Sequence, residues 1–134
     1  MTVVTFEGGM RFVGRGSSGH EVAMDASATN GGSDSAARPV EALLSSLGAC
    51  TGMDVVAILR KSHDVPQAFR VEIADERAEE YPKVLRKIHL AYVVSREVPR
   101  ERLEKAIGLS LAKYCPIANS LAGVAEITYE MRFE

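Results

Sequence analysis

The sequence predicts an α+β protein with the element order βββ-α-ββ-αα-β. Three observations carry this. Short strand-like stretches cluster near the N-terminus, in the middle and at the C-terminus. The run from Pro39 to Lys61 is long and apolar enough for a buried helix. A second helical stretch opens at Pro99. Strands and helices are grouped rather than alternating, which argues against a doubly wound parallel sheet. At 134 residues, with no internal repeat or low-complexity segment, residues 1–134 read as a single domain.

The first three strands are expected at Thr2 to Glu7, Met10 to Arg15 and His20 to Ala26. Gly8-Gly9 and Gly16-Ser-Ser-Gly19 separate them. Asn30-Gly-Gly-Ser-Asp-Ser35 is a connection rich in turn residues. Pro39 suits the first turn of a helix, where its missing N–H costs nothing. That helix is apolar nearly all round over Leu43 to Leu59 and belongs at the centre of the fold. Arg60, Lys61 and His63 bring positive charge to its C-terminal end, where the helix dipole favours it. Phe69, Val71 and Ile73 alternate with polar residues, as do Ile88, Leu90, Tyr92 and Val94, so both stretches read as half-buried strands. The helix from Pro99 runs through Leu111 with Leu103, Ile107 and Leu111 on one face. Pro116 to Leu121 is a further short helix. Ile127, Tyr129, Met131 and Phe133 form one side of a last strand.

The net charge of −2 gives no basic surface for nucleic acid or anionic membranes. Charged residues interrupt the apolar runs before a membrane span is complete, and no secretory signal opens the chain. A cytoplasmic location is therefore expected, where structural disulfides are unusual.

Two cysteines carry the functional argument. Cys50 lies inside the apolar helix. Cys115 stands immediately before Pro116, at the N-cap of the short helix, a placement that favours the thiolate. Buried free cysteine is also commonly an inert small hydrophobe. Asp54 lies four residues after Cys50 on the same helix face and needs a partner in an apolar setting. Cys50, Cys115, Asp54 and one of His20, His63 or His89 could be gathered around a metal, but none has a characteristic ligand spacing. No metal and no cofactor is expected.

The strand meander, the helix Pro39-x-Glu-x-Leu-Leu…Gly-Ala-Cys50 and the later Tyr-Cys115-Pro-Ile-Ala resemble the OsmC/Ohr family of thiol-dependent peroxidases along nearly the whole chain. Cys50-Thr-Gly-Met-Asp54-Val-Val-Ala-Ile-Leu looks most like its YhfA-like branch. The resemblance implies an OsmC-like fold and an intertwined homodimer with sites at its interface. It implies an organic hydroperoxide reductase of stress defence, with Cys50 as peroxidatic thiol, Cys115 as resolving thiol and a cellular dithiol as reductant. Leu47 and Met53 are expected to supply apolar walls. The chain departs from better-studied members at Val40, where they carry a glutamate that pairs with an arginine. The nearby acid is Glu41, turned by about 100° on the helix. Arg15 sits in the region of the arginine, with Arg11 and Arg38 as competitors. Two other functions remain open: a non-enzymatic dimer that binds a small apolar ligand or senses oxidants, and a homologue with inert cysteines.

Overall fold

The computed structural model describes all 134 residues. The elements are β1 (Val3–Phe6), β2 (Phe12–Arg15), β3 (Glu21–Met24), α1 (Pro39–Lys61), β4 (Phe69–Arg77), β5 (Leu85–Val94), α2 (Arg100–Leu109), α3 (Pro116–Leu121) and β6 (Glu126–Phe133). This is the expected α+β order. Pro39 and Pro116 each open a helix, because a proline at the first helical position loses no hydrogen bond. The chain forms two compact units, Met1–Ser45 and Ser46–Glu134.

In the first unit, β1, β2 and β3 form an antiparallel meander in that order. All four residues of β1 are exposed. The loop after β3 is organised by Asp25, which is buried. Its carboxylate accepts from the Ser35 hydroxyl at 2.7 Å and from the backbone N–H groups of Ala26, Ser33 and Ser35. Those four bonds hold the carboxyl down at about 2, the Ser35 hydroxyl contributing most. Gly32 is required here, since a Cβ would lie 2.0 Å from the Ala26 carbonyl oxygen.

In the second unit, β5 is the central strand, antiparallel to β4 and parallel to β6. Alternation in β5 predicts a strand buried on one face. Instead Leu90, Ala91, Tyr92, Val93 and Val94 are all buried, so both faces of its C-terminal half are covered. Gly48 and Gly52 lay α1 close on β4. A Cβ at Gly48 would come within 3.0 Å of Ile73 Cδ1, and one at Gly52 within 3.8 Å of the Phe69 ring. The stripe of α1 that is buried recurs every fourth residue: Leu47, Thr51, Val55 and Leu59. Elsewhere α1 stays open, with Leu43 38% and Met53 70% exposed. The expectation that charges interrupt every apolar run short of a membrane span does not hold for α1: Asp54 is the only charge between Ala42 and Leu59, and the helix is long and apolar enough, by length and composition, to cross a membrane. Its i, i+4 buried stripe is the pattern of a core helix. Leu103, Ala106 and Ile107 of α2 are fully buried, each leucine-sized side chain contributing roughly 1.5–3 kcal/mol.

The second long helix ends earlier than its pattern predicts. α2 stops at Leu109, and Ser110–Tyr114 widens into a π-helical turn. The turn closes when the Cys115 N–H donates to the Ser110 carbonyl at 2.8 Å. Pro116 has no N–H to continue the ladder. The Asn119 side chain clamps the turn by donating to the carbonyls of Leu111 and Cys115.

Candidate functional site

The second unit brings Cys50 and Cys115 into side-chain contact. Both are free thiols, Cys50 partly exposed and Cys115 fully buried. Sixty-four residues of chain lie between them, and the π-turn supplies the approach. Cys115 is the N-cap of α3, its sulfur accepting the Ala118 N–H at 3.3 Å. The cap alone predicts a lowered thiol pKa. The structure reverses this: burial, opposed by the Ala118 bond and helped by the Cys50 contact, pushes Cys115 up to about 11. Desolvation of a fully buried sulfur outweighs one weak N–H···S bond from a six-residue helix. Cys115 is therefore held as a thiol, with an S–H available to the Cys50 sulfur.

Asp54 has the partner it needs. Its Oδ2 accepts the Ser110 hydroxyl at 2.8 Å. Ser110 Oγ lies 2.7 Å from Thr51 Oγ1, which lies 2.8 Å from the Tyr92 hydroxyl. An ionised carboxylate can only accept, so its charge directs the whole chain. Ser110 spends its one proton on Asp54 and must accept from Thr51. Thr51 in turn accepts from Tyr92. Tyr92 stays protonated, pushed up to about 12 by burial, a direction that Cys115 and Asp54 reinforce.

Beside these groups lies a cavity of about 560 Å³. Its apolar wall is Ala57, Ile58, Leu59 and Leu109; Asp54 and Tyr114 line it with Lys61 and Lys105. Leu47 and Met53, expected to wall the Cys50 site, do not line this cavity. Leu47 is fully buried on the inner stripe of α1, and Met53 is 70% exposed.

The other two expected site residues belong to the first unit. Arg15 donates to the Gly19 carbonyl at 2.8 Å and pairs with Glu21. Glu41 lies 3.8 Å from Arg38, which also pairs with Asp34. His89 bonds Thr128 and Glu130 across β5 and β6, on the polar side expected for it.

A family model described as OsmC-like protein matches residues 32–130. The chain belongs to the OsmC-like family. A protein named YhfA from Escherichia coli strain K12 is 35% identical over 122 residues, 90% of this chain and 88% of that one. A solved structure of a hypothetical protein from Aquifex aeolicus VF5 has a TM-score of 0.82 at 27% identity, covering 100% of this chain and 96% of that one. A Legionella pneumophila structure described as an organic hydroperoxide resistance protein OsmC has a TM-score of 0.71 at 13% identity, covering 98% and 96%. That last likeness is one of fold.

Sequence reading of this OsmC-like chain finds Cys50, Cys115 and Asp54 but misses Thr51, Ser110 and Tyr92. A signal for them exists. Each is a polar residue on an otherwise apolar stripe. Thr51 sits between Leu47 and Val55, Ser110 follows Leu103 and Ile107, and Tyr92 stands between Leu90 and Val94. A buried hydroxyl needs a partner, so three such residues in one small core point to one another.

Proposed function

We propose that this OsmC-like protein is a thiol peroxidase that reduces organic hydroperoxides through Cys50 and Cys115. The observation that carries the proposal is their contact, with Cys115 buried as a thiol and Cys50 partly exposed. Of the two residues, Cys50 is the one that solvent reaches. The Cys50 thiolate attacks the hydroperoxide, forming an S–O bond as the O–O bond breaks. Sulfur loses two electrons, and the leaving alkoxide takes a proton to become an alcohol. The Cys115 sulfur then attacks the sulfenic sulfur. An S–S bond forms, and hydroxide departs with the Cys115 proton as water. A cytoplasmic dithiol returns two electrons and two protons by exchange.

The family resemblance supports a homodimer in which Arg15 serves the Cys50 thiol and Glu41 of the second copy anchors that arginine. It also supports a role in oxidative or osmotic stress defence. The cavity is lined by Asp54, one helical turn along α1 from Cys50, and its apolar wall favours an organic rather than a hydrogen peroxide substrate. The cavity equally favours a second reading, a dimer that binds a small apolar ligand or senses oxidants without turnover.

Turnover of cumene hydroperoxide with excess dithiol separates the two. Cys50→Ser is expected to abolish consumption. Cys115→Ser is expected to allow one round of Cys50 oxidation and then stall. Equal turnover by Cys50→Ser and the unaltered protein would end the peroxidase reading.

A further inference from the structure

Ser110 makes hydrogen bonds through every polar atom it has. Its N–H donates to the carbonyls of Ala106 and Ile107 at the end of α2. Its carbonyl accepts the Cys115 N–H at 2.8 Å. Its hydroxyl accepts from Thr51 at 2.7 Å and donates to Asp54 at 2.8 Å. Thr51 and Asp54 lie one and four residues after Cys50 on α1. One fully buried serine thus ties the turn of α1 that carries Cys50 to the π-turn that presents Cys115.

We infer that Ser110 is a positioning residue for the Cys50–Cys115 pair, its hydroxyl setting the effective concentration of one thiol for the other. The inference rests on these cysteines being a redox pair, and not on peroxide being the oxidant. Effective concentration between tethered groups depends on how narrowly their separation is held. Two bonds from Ser110 to α1, a buried one to Thr51 and a partly buried one to the Asp54 carboxylate, hold it here. Tyr92 is at the far end of the same chain. Removing its hydroxyl leaves both Ser110 bonds in place.

The test is equilibration of the reduced, full-length protein in glutathione buffers. Two protein thiols are oxidised to one S–S bond while oxidised glutathione is reduced to two thiols. Ser110→Ala is expected to lower the equilibrium constant for the disulfide about tenfold, the worth of one or two hydrogen bonds. That corresponds to ~30 mV for a two-electron couple. Thr51→Val, which removes one of the two bonds, is expected to shift it the same way by about threefold, and it carries the test should Ser110→Ala not fold. Tyr92→Phe is expected to lose stability yet leave the constant unchanged. A constant unmoved in Ser110→Ala and Thr51→Val would overturn the inference. So would an equal shift in Tyr92→Phe, which would mark a general loosening of the core. Failure of the unaltered protein to form the disulfide would also overturn it. Absence of peroxide turnover alongside the expected shifts would remove the peroxidase reading and leave Ser110's role intact.

Discussion

The two units solve the burial problem differently. The second encloses a core of its own, with Leu90, Tyr92, Leu103 and Ile107 at 0% exposure. The first does not. Val3, Val4, Phe6, Phe12 and Val22 are between 40% and 58% exposed, although β1 and β2 are well paired along their length. Only Val13 and Gly14 of this sheet are buried, and backbone pairing with so little covered surface leaves it short of the hydrophobic term that stabilises a sheet. Its order depends instead on devices such as the Asp25 cradle and Gly32. The register puts Val4, Phe6, Phe12 and Val22 on one face, and an exposed apolar face of this kind marks an interaction surface. This contrast supports the proposed homodimer: one region is finished within the chain, and the other calls for cover.

The largest effect that sharpens this contrast lies in the second unit. Leu103→Ala is expected to cost ~2–5 kcal/mol in denaturant unfolding, because its site is fully enclosed and collapses poorly. A cost under ~1 kcal/mol would mean that the α2 core is not closed.

Phe6→Ser probes the first unit. On a free surface the change costs no more than ~0.5 kcal/mol. If a second copy covers the sheet, the cost is ~1–3 kcal/mol and dimers weaken. Sedimentation is expected to give a homodimer for the unaltered protein, burying more than the ~1,600 Å² of standard interfaces, and a larger monomer fraction for Phe6→Ser. A stable folded monomer at micromolar concentration would break the comparison.

A smaller effect concerns acid. The Asp25 carboxyl is lowered from its ordinary 3.8 to about 2. A depressed carboxylate contributes stability that is whole above the unfolded value and lost as pH falls through the folded one. Asp25 should therefore stabilise the fold fully above about pH 4 and lose that contribution between about pH 4 and pH 2. Asn at this position has no such titration. The stability difference between the unaltered protein and Asp25→Asn is expected to shrink across that window. A difference that stays constant with pH would remove the Asp25 cradle as its source.

Much of the fold is legible because local chemistry and tertiary structure agree. Pro39 and Pro116 mark helix starts, and Ile127 to Phe133 alternates as a strand should. The disagreements have identifiable causes. Strand position is not written in alternation, so β5 reads as half-buried when it is central. The π-turn depends on a bond from Cys115 to a carbonyl five residues earlier, a choice that α2's apolar pattern does not encode. The N-cap argument at Cys115 is sound locally and is overruled by burial, which only the packed structure supplies. The hydroxyl chain joins Thr51, Tyr92 and Ser110 across 41 and 59 residues of sequence, out of reach of any local pattern.

The central claim is that Cys50 and Cys115 act as one two-electron unit. Treating the fully reduced protein with one equivalent of cumene hydroperoxide, followed by intact-mass and peptide mapping, tests it most directly. The account predicts one Cys50–Cys115 disulfide per chain, a mass loss of about two hydrogens, and one equivalent of the corresponding alcohol. Both thiols left free after the peroxide is added, or Cys50 carried to a sulfinic acid with Cys115 still reduced, would contradict it.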